Sequence, residues 1–203
     1  MKSIGIRSAR PNEFLHVDTT YYTMKSGIKW AITFVSDNFS RKILGWSMAL
    51  KNSSENVKNA LNMALESIRA YHPGLVCATL VADGGSENHA ITVKELLEST
   101  ESPQLTMVVA LKDIAFSNSP IEAINKIMKR YLRYYDPSSE QQLYSCLSNA
   151  VEDYSSIRPH TSLDGFTPME VYSGSIPDLD FRTQIREAKN VRILMNRKGC
   201  GQC

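Results

Sequence analysis

Apolar and polar positions change rhythm along this chain, and each change marks an element. Over residues 13–18, EFLHVD alternates, with Phe14, His16 and Asp18 on one side and Leu15 and Val17 on the other, the period of a strand. IKWAITFVS at 28–36 and KILGWSMAL at 42–50 are apolar runs rich in β-branched residues, set apart by KSG at 25–27 and by the polar cluster DNFSR. Three short strands joined by tight turns predict an antiparallel meander. The period then turns helical. Behind the N-cap candidates Asn52, Ser53 and Ser54, the residues Val57, Ala60, Leu61, Ala64, Leu65 and Ile68 recur at helical spacing until His72-Pro73-Gly74. LVCATLVAD at 75–83 predicts a buried strand ending in Asp83. A short helix with Val93, Leu96 and Leu97 on one face follows the turn GGSEN, and QLTMVVAL at 104–111 predicts a fifth strand. After the loop KDIAFSNSP, a long helix spans about 120–135, with Pro120 in its first turn, where the missing N–H is harmless. A further helix follows Pro137-Ser138-Ser139 and runs to about Ile157; from Arg158 the chain reads mostly as loop and tail.

This order predicts an α/β fold: a five-stranded mixed sheet, made of a three-strand antiparallel meander plus two parallel strands, flanked by helices. Ligands of such sheets sit beyond the carboxyl ends of adjacent strands. Asp18 and Asp83 each end an apolar strand, and they converge if the first and fourth strands are neighbours. Two carboxylates at buried strand ends need a proton or a cation. Mg²⁺ takes oxygen ligands and keeps several waters, and two such ions about 3.5–4 Å apart clamp the attacking and leaving oxygens of a phosphodiester. Glu122, in the first turn of the long helix, is the candidate third acid. Lys126, Lys129, Arg130 and Arg133 follow it on roughly the same face, a basic stripe suited to DNA phosphates. Ile121, Ile124, Ile127 and Met128 fall on other faces and can pack on the core.

Each feature alone has a plainer reading. A strand-end Asp is commonly a turn or cap residue. Glu122 suits a helix N-terminus for dipole reasons, and the stripe could be a solvated face. Asp37 in SDNFSR reads as a hairpin turn residue, and His16 as a packed neighbour of Asp18. Their joint occurrence in this order favours the site.

Composition narrows the class. The 203 residues are 42% hydrophobic and 22% charged, which suits a folded core and excludes global disorder. The net charge of +2 says little about nucleic acid, but residues 181–198 hold Arg182, Arg186, Lys189, Arg192, Arg197 and Lys198 against Glu187 alone. That basic tail is either a DNA contact or a solvated helix. No apolar stretch is long enough to span a membrane, and the N-terminus lacks a signal-peptide core. Of the four cysteines, Cys77 reads as buried in its strand and Cys146 as helical. Cys200 and Cys203 have the spacing of half a zinc site, with no second pair nearby. The expectation is a cytoplasmic, reduced protein without a membrane partner.

The segments HVDTTYY, TFVSDNFSRKILGW, VADGGSEN, FSNSPIEAINKIMK and YSSIRPHTSLDGFTPMEVY resemble the integrase catalytic core of bacterial insertion-sequence transposases, which is of the retroviral-integrase type. Arg158-Pro159-His160, Leu163, Thr167-Pro168 and Glu170 are the most specific match. The resemblance covers about 11–173, leaving 1–10 as a leader and 174–203 as a basic C-terminal tail. It implies a ribonuclease-H-like fold and a DDE triad of Asp18, Asp83 and Glu122 holding two Mg²⁺ or Mn²⁺ ions. The implied activity is DNA cleavage followed by strand transfer. Further implications are Lys126 and Lys129 near the cut DNA end, transposon ends and target DNA as partners, a homo-oligomer of at least two chains, and a bacterial, nucleoid-associated location. Arg130, Arg133, Arg158 and His160 complete the candidate DNA contacts, His160 in a structural or phosphate-contacting role.

The chain departs from the pattern in places. Thirty-eight residues separate Asp83 from Glu122, and FSNSP stands where relatives often have a Gly-rich loop. Residues 1–10 leave no room for the usual helix-turn-helix modules, so a fragment with weak end recognition is expected. The alternatives are a DNA-binding or oligomerising fragment that modulates a full-length transposase without turnover, and a nuclease of this fold that never joins strands.

Overall fold

A computed structural model describes residues 8–83, 91–100, 102–109 and 119–176, together with Glu187, Asn190 and Val191. The turn GGSEN, the segment preceding the long helix, most of the basic tail, and Cys200 and Cys203 lie outside these residues. The meander is β1 (Phe14–Thr23), β2 (Lys29–Asp37) and β3 (Ile43–Ala49); then come α1 (Ser54–Tyr71), β4 (Cys77–Ala82), α2 (Ile91–Ser99), β5 (Gln104–Val109), α3 (Ser119–Tyr135) and α4 (Glu140–Glu152). The sheet order is β3-β2-β1-β4-β5. β1, β2 and β3 pair antiparallel, and β4 joins β1, and β5 joins β4, in parallel. The five-stranded mixed sheet expected from the sequence is present, with helices on both faces.

Each sheet face carries its own core. Leu15, Val17, Val35, Leu44 and Leu80 pack against the apolar stripe of α1 and against Val93 and Leu97 of α2. On the other face Trp30, Ile32, Phe34 and Trp46 meet Ile121, Ile124, Met128 and Leu132 of α3 and Leu143 and Leu147 of α4. Ile127, expected to pack like its neighbours, is only partly buried. Ser53 caps α1 by accepting from the Asn56 N–H, as its position in the sequence suggests.

Three sequence expectations change. β1 runs on to Thr23, because Thr19, Thr20, Tyr21 and Tyr22 are strand-favouring residues and pair with β2 as far as Lys29. Cys77 is exposed at the first position of β4, where the strand has not yet entered the core. The segment after Arg158 is more than loop: it forms a 3₁₀ turn at Thr161–Leu163 and the helix α5 (Pro168–Ser173). α5 opens with a capping box, Thr167 accepting from the Glu170 N–H and Glu170 accepting from the Thr167 N–H, and with Pro168 at its start. That box is the physical content of the TPME motif. It seats Tyr172 fully buried against the α1 side of the sheet, where its hydroxyl donates to Asn12 Oδ1 at 3.0 Å. Asn12 in turn donates its N–H to Asp37 Oδ1, and Asp37 also accepts from the Ser40 N–H and hydroxyl. Asp37 is therefore the expected turn residue, and a buried anchor besides. Among the described residues no helix is long and apolar enough to cross a membrane.

α1 approaches the sheet closely at Gly45 of β3. A Cβ there would lie 2.2 Å from the Ala60 carbonyl oxygen and 2.6 Å from the Ala64 nitrogen of α1. Both obstacles are backbone, so the helix itself would have to move. Gly45→Ala is expected to cost about 3 kcal/mol, the upper end of overpacking effects, and to lower Tm by roughly 5–10 °C; calorimetry of the two proteins checks this.

Candidate active site

The parallel pairing of β1 with β4 ends at Val17–Ala82. Asp18 and Asp83 are the next residues on these two adjacent strands. β1 continues alongside β2, with Asp18 opposite Phe34, whereas β4 stops at Ala82. Asp18 is thus half-buried where the sheet forks, in mid-strand and not at a strand end as the sequence suggests. Asp83 is exposed just beyond β4.

α3 lies across β1 and β2, held by Ile121, Ile124, Met128 and Leu132. Its first turn carries Glu122, which is exposed. One turn on, Asn125 is 7% exposed and donates from Nδ2 to Asp18 Oδ2 at 2.7 Å. The Thr19 N–H donates to the other oxygen, Oδ1, at 2.9 Å. Burial, reinforced by the negative charge of Asp83 and more weakly of Glu122, pushes the Asp18 carboxyl up to about 6. Asp83 and Glu122 therefore both lie within electrostatic reach of Asp18. They do not close into a ready cage: among the described residues no group of three His, Cys, Asp or Glu side chains is placed to hold a metal ion. Asn125 is the residue the sequence reading missed. Its signal was available, since it sits between Glu122 and the apolar stripe of the helix, where a buried polar group needs a partner.

The basic stripe divides. Lys129 and Arg133 line a cleft of about 440 Å³ with Tyr21 and Thr23 of the strand that continues from Asp18 and with Lys25 beyond its end. Lys25 pairs with Asp136 at the cleft's edge. Arg130 faces a second cleft, together with Arg158. Lys126 is exposed and lines neither. His160 stands apart from the acids: its Nε2 donates to the Tyr154 carbonyl at 3.1 Å and its ring sits edge-on to Tyr154. Burial also pushes its pKa down, which suits a packed, neutral ring. His16 is fully buried beside Asp18 in β1, as its packed role requires.

Residues 8–106, just under half of the chain, match the family of the integrase core domain. Over that stretch the chain is similar to integrase cores. It is 26% identical over 171 residues to the transposase for insertion sequence element IS904 of Lactococcus lactis, covering 81% of this chain and 62% of that relative. It therefore spans about three fifths of that transposase's length. The catalytic core domain of HTLV-2 integrase, solved in complex with magnesium in a trimeric form, superposes with a TM-score of 0.62 at 19% identity, over 82% of this chain and 99% of that one. A chain of the simian T-cell lymphotropic virus intasome, solved in complex with the PP2A regulatory subunit B56 gamma, gives 0.67 at 17%, over 86% and 58%. The BIV integrase catalytic core gives 0.58 at 20%, over 81% and 95%. The likeness in fold covers 81–86% of the chain, more than residues 8–106 alone.

The raised Asp18 carboxyl has a consequence for stability. Its folded pKa, about 6, exceeds its ordinary value of 3.8, so between these values the folded protein binds more protons than the unfolded chain. In metal-free buffer stability should fall as pH rises through that window. Denaturant titrations in EDTA at pH 4 to 7 check this, and Asp18→Asn should flatten the fall.

Proposed function

We propose that the chain is the catalytic core of a DNA strand-transfer enzyme of the DDE type, with Asp18, Asp83 and Glu122 as its acids. The observation that carries this reading is the Asp18 carboxyl, pushed toward neutrality by burial and by two other carboxylates from distant parts of the chain. Carboxylates that raise one another's pKa in this way are characteristic of functional sites.

The donor set fits a hard divalent cation: all three side chains offer only carboxylate oxygens, which Mg²⁺ and Mn²⁺ prefer. Glu122 is exposed, so its side chain has room to swing toward Asp18. Two ions, when bound, would supply Lewis-acid activation and charge neutralisation at phosphodiester oxygens. The chain's own residues do the rest. The Asn125 amide fixes one Asp18 oxygen and leaves the carboxylate oriented. Lys129 and Arg133, in the cleft running on from Asp18, hold backbone phosphates, while Lys126 and Arg130 extend the cationic surface. DNA is the partner in this reading, as transposon ends and target, handled by at least two copies of the chain.

A second reading also has an observation in its favour. Because the acids do not close into a metal-holding group, the chain could be a DNA-binding or oligomerising module that modulates a full-length transposase without turnover.

The test is incubation with end-matched or branched DNA and Mn²⁺. Wild type should yield joined products, and Asp83→Asn should lose activity on the order of a thousandfold. Asn125→Ala should lose roughly ten- to a hundredfold, as supporting partners of metal ligands do. Equal activity in wild type and Asp83→Asn would sink the DDE reading. Binding in gel shifts with no turnover in any metal would select the second.

A further inference from the structure

α3 separates two clefts, and the second has no role in the reading above. It measures about 290 Å³ and is lined by Ile127, Arg130, Tyr131, Tyr134, Tyr135 and Arg158. Its rim leaves large aromatic surface in water. Tyr134 is 82% exposed and Tyr135 57%, their rings edge-to-face with centroids 5.1 Å apart. Ile157, next to Arg158 in the chain, is exposed as well. Apolar surface gathered this way marks a contact site. The floor is different: the Tyr131 hydroxyl bonds to both Asp153 and Arg158, so the base of the cleft is braced by polar contacts.

We infer that this cleft binds the unpaired bases of a DNA strand, with Tyr134 and Tyr135 as stacking platforms and Arg130 and Arg158 on the flanking phosphates. Every base offers a π-face, so aromatic rings beside cations bind single strands without regard to sequence. A guanidinium adds a planar fork matched to phosphate. Charge selects the occupant. The lining carries two guanidiniums, with the Asp153 carboxylate held beneath it on the Tyr131 hydroxyl; the net positive rim attracts a polyanion and opposes a second copy of the same cationic face. A duplex keeps its base faces inside the stack and would offer the tyrosines only its backbone. Placement agrees: the tyrosines occupy the last turn of the helix whose first turn carries Glu122, roughly 18 Å along its axis. A strand leaving the acids can follow α3 to this cleft. The inference rests on the DNA reading of the active site, but it concerns a separate surface.

The experiment is fluorescence anisotropy with labelled oligothymidine and with a duplex of equal length, using the full chain in EDTA. Tyr134→Ala with Tyr135→Ala should weaken oligothymidine binding roughly fivefold or more and leave duplex binding within about twofold. The Tyr134→Phe, Tyr135→Phe pair should restore it, since the ring and not the hydroxyl stacks. Lys129→Ala with Arg133→Ala should weaken the duplex more. Unchanged oligothymidine affinity in the double alanine variant overturns the inference, and so does equal weakening of both DNAs. Conversion of a multimer to a monomer, seen by light scattering without loss of oligothymidine binding, also overturns it and assigns the cleft to self-association. If wild type transfers no strands yet binds oligothymidine through the tyrosines, the catalytic reading fails and the cleft stands; transfer without tyrosine-dependent binding gives the reverse.

Discussion

The pairing of β1 with β4 is the constraint on which the rest of the molecule depends. These strands are distant in sequence, and α1 must cross one face of the sheet to bring β4 back parallel to β1. Their register, Phe14 with Thr79 through Val17 with Ala82, makes Asp18 and Asp83 neighbours across a strand boundary. A slip of one residue would turn the Asp83 side toward the opposite face. The apolar residues on both strands prevent that slip, because Leu15, Val17, Leu80 and Ala82 are all committed to the core on the α1 side. The hydrophobic pattern that folds the sheet therefore also fixes the position of the acids.

α3 supplies the other half of the site. Its apolar stripe sets its roll on the sheet, and the roll decides what its polar positions meet. Asn125 reaches Asp18, Glu122 stays at the edge, and the cations fan out to either side. An amide is a fitting contact for a crowded carboxylate: it donates a hydrogen bond without adding charge, so it orients Asp18 without neutralising the negative field shared by the acids.

Much of this was legible from residue order. Period-two and period-3.6 patterning located all five strands and the four longer helices, since burial imposes those periods directly. Boundaries were less legible: nothing in EFLHVD says that the strand continues through five more residues, because that depends on what β2 offers opposite. Cys77 looked buried from the apolarity of its own run, but burial at a strand's first residue depends on what covers it. The single basic stripe on α3 became two surfaces for a similar reason. Helical spacing gives angles around an axis, while the strand on one side and the turn near Arg158 on the other decide which cleft each cation enters. The capping box in TPME was readable as chemistry, but its purpose, seating Tyr172, required the fold.

That last contact joins remote parts of the polypeptide. With the Tyr172 hydroxyl on Asn12, and Asn12 on the β2 turn at Asp37, the entry and exit of the folded body share one doorway. Anything attached ahead of residue 8 or beyond residue 176 would start from nearly the same spot, on the flank clasped by α5.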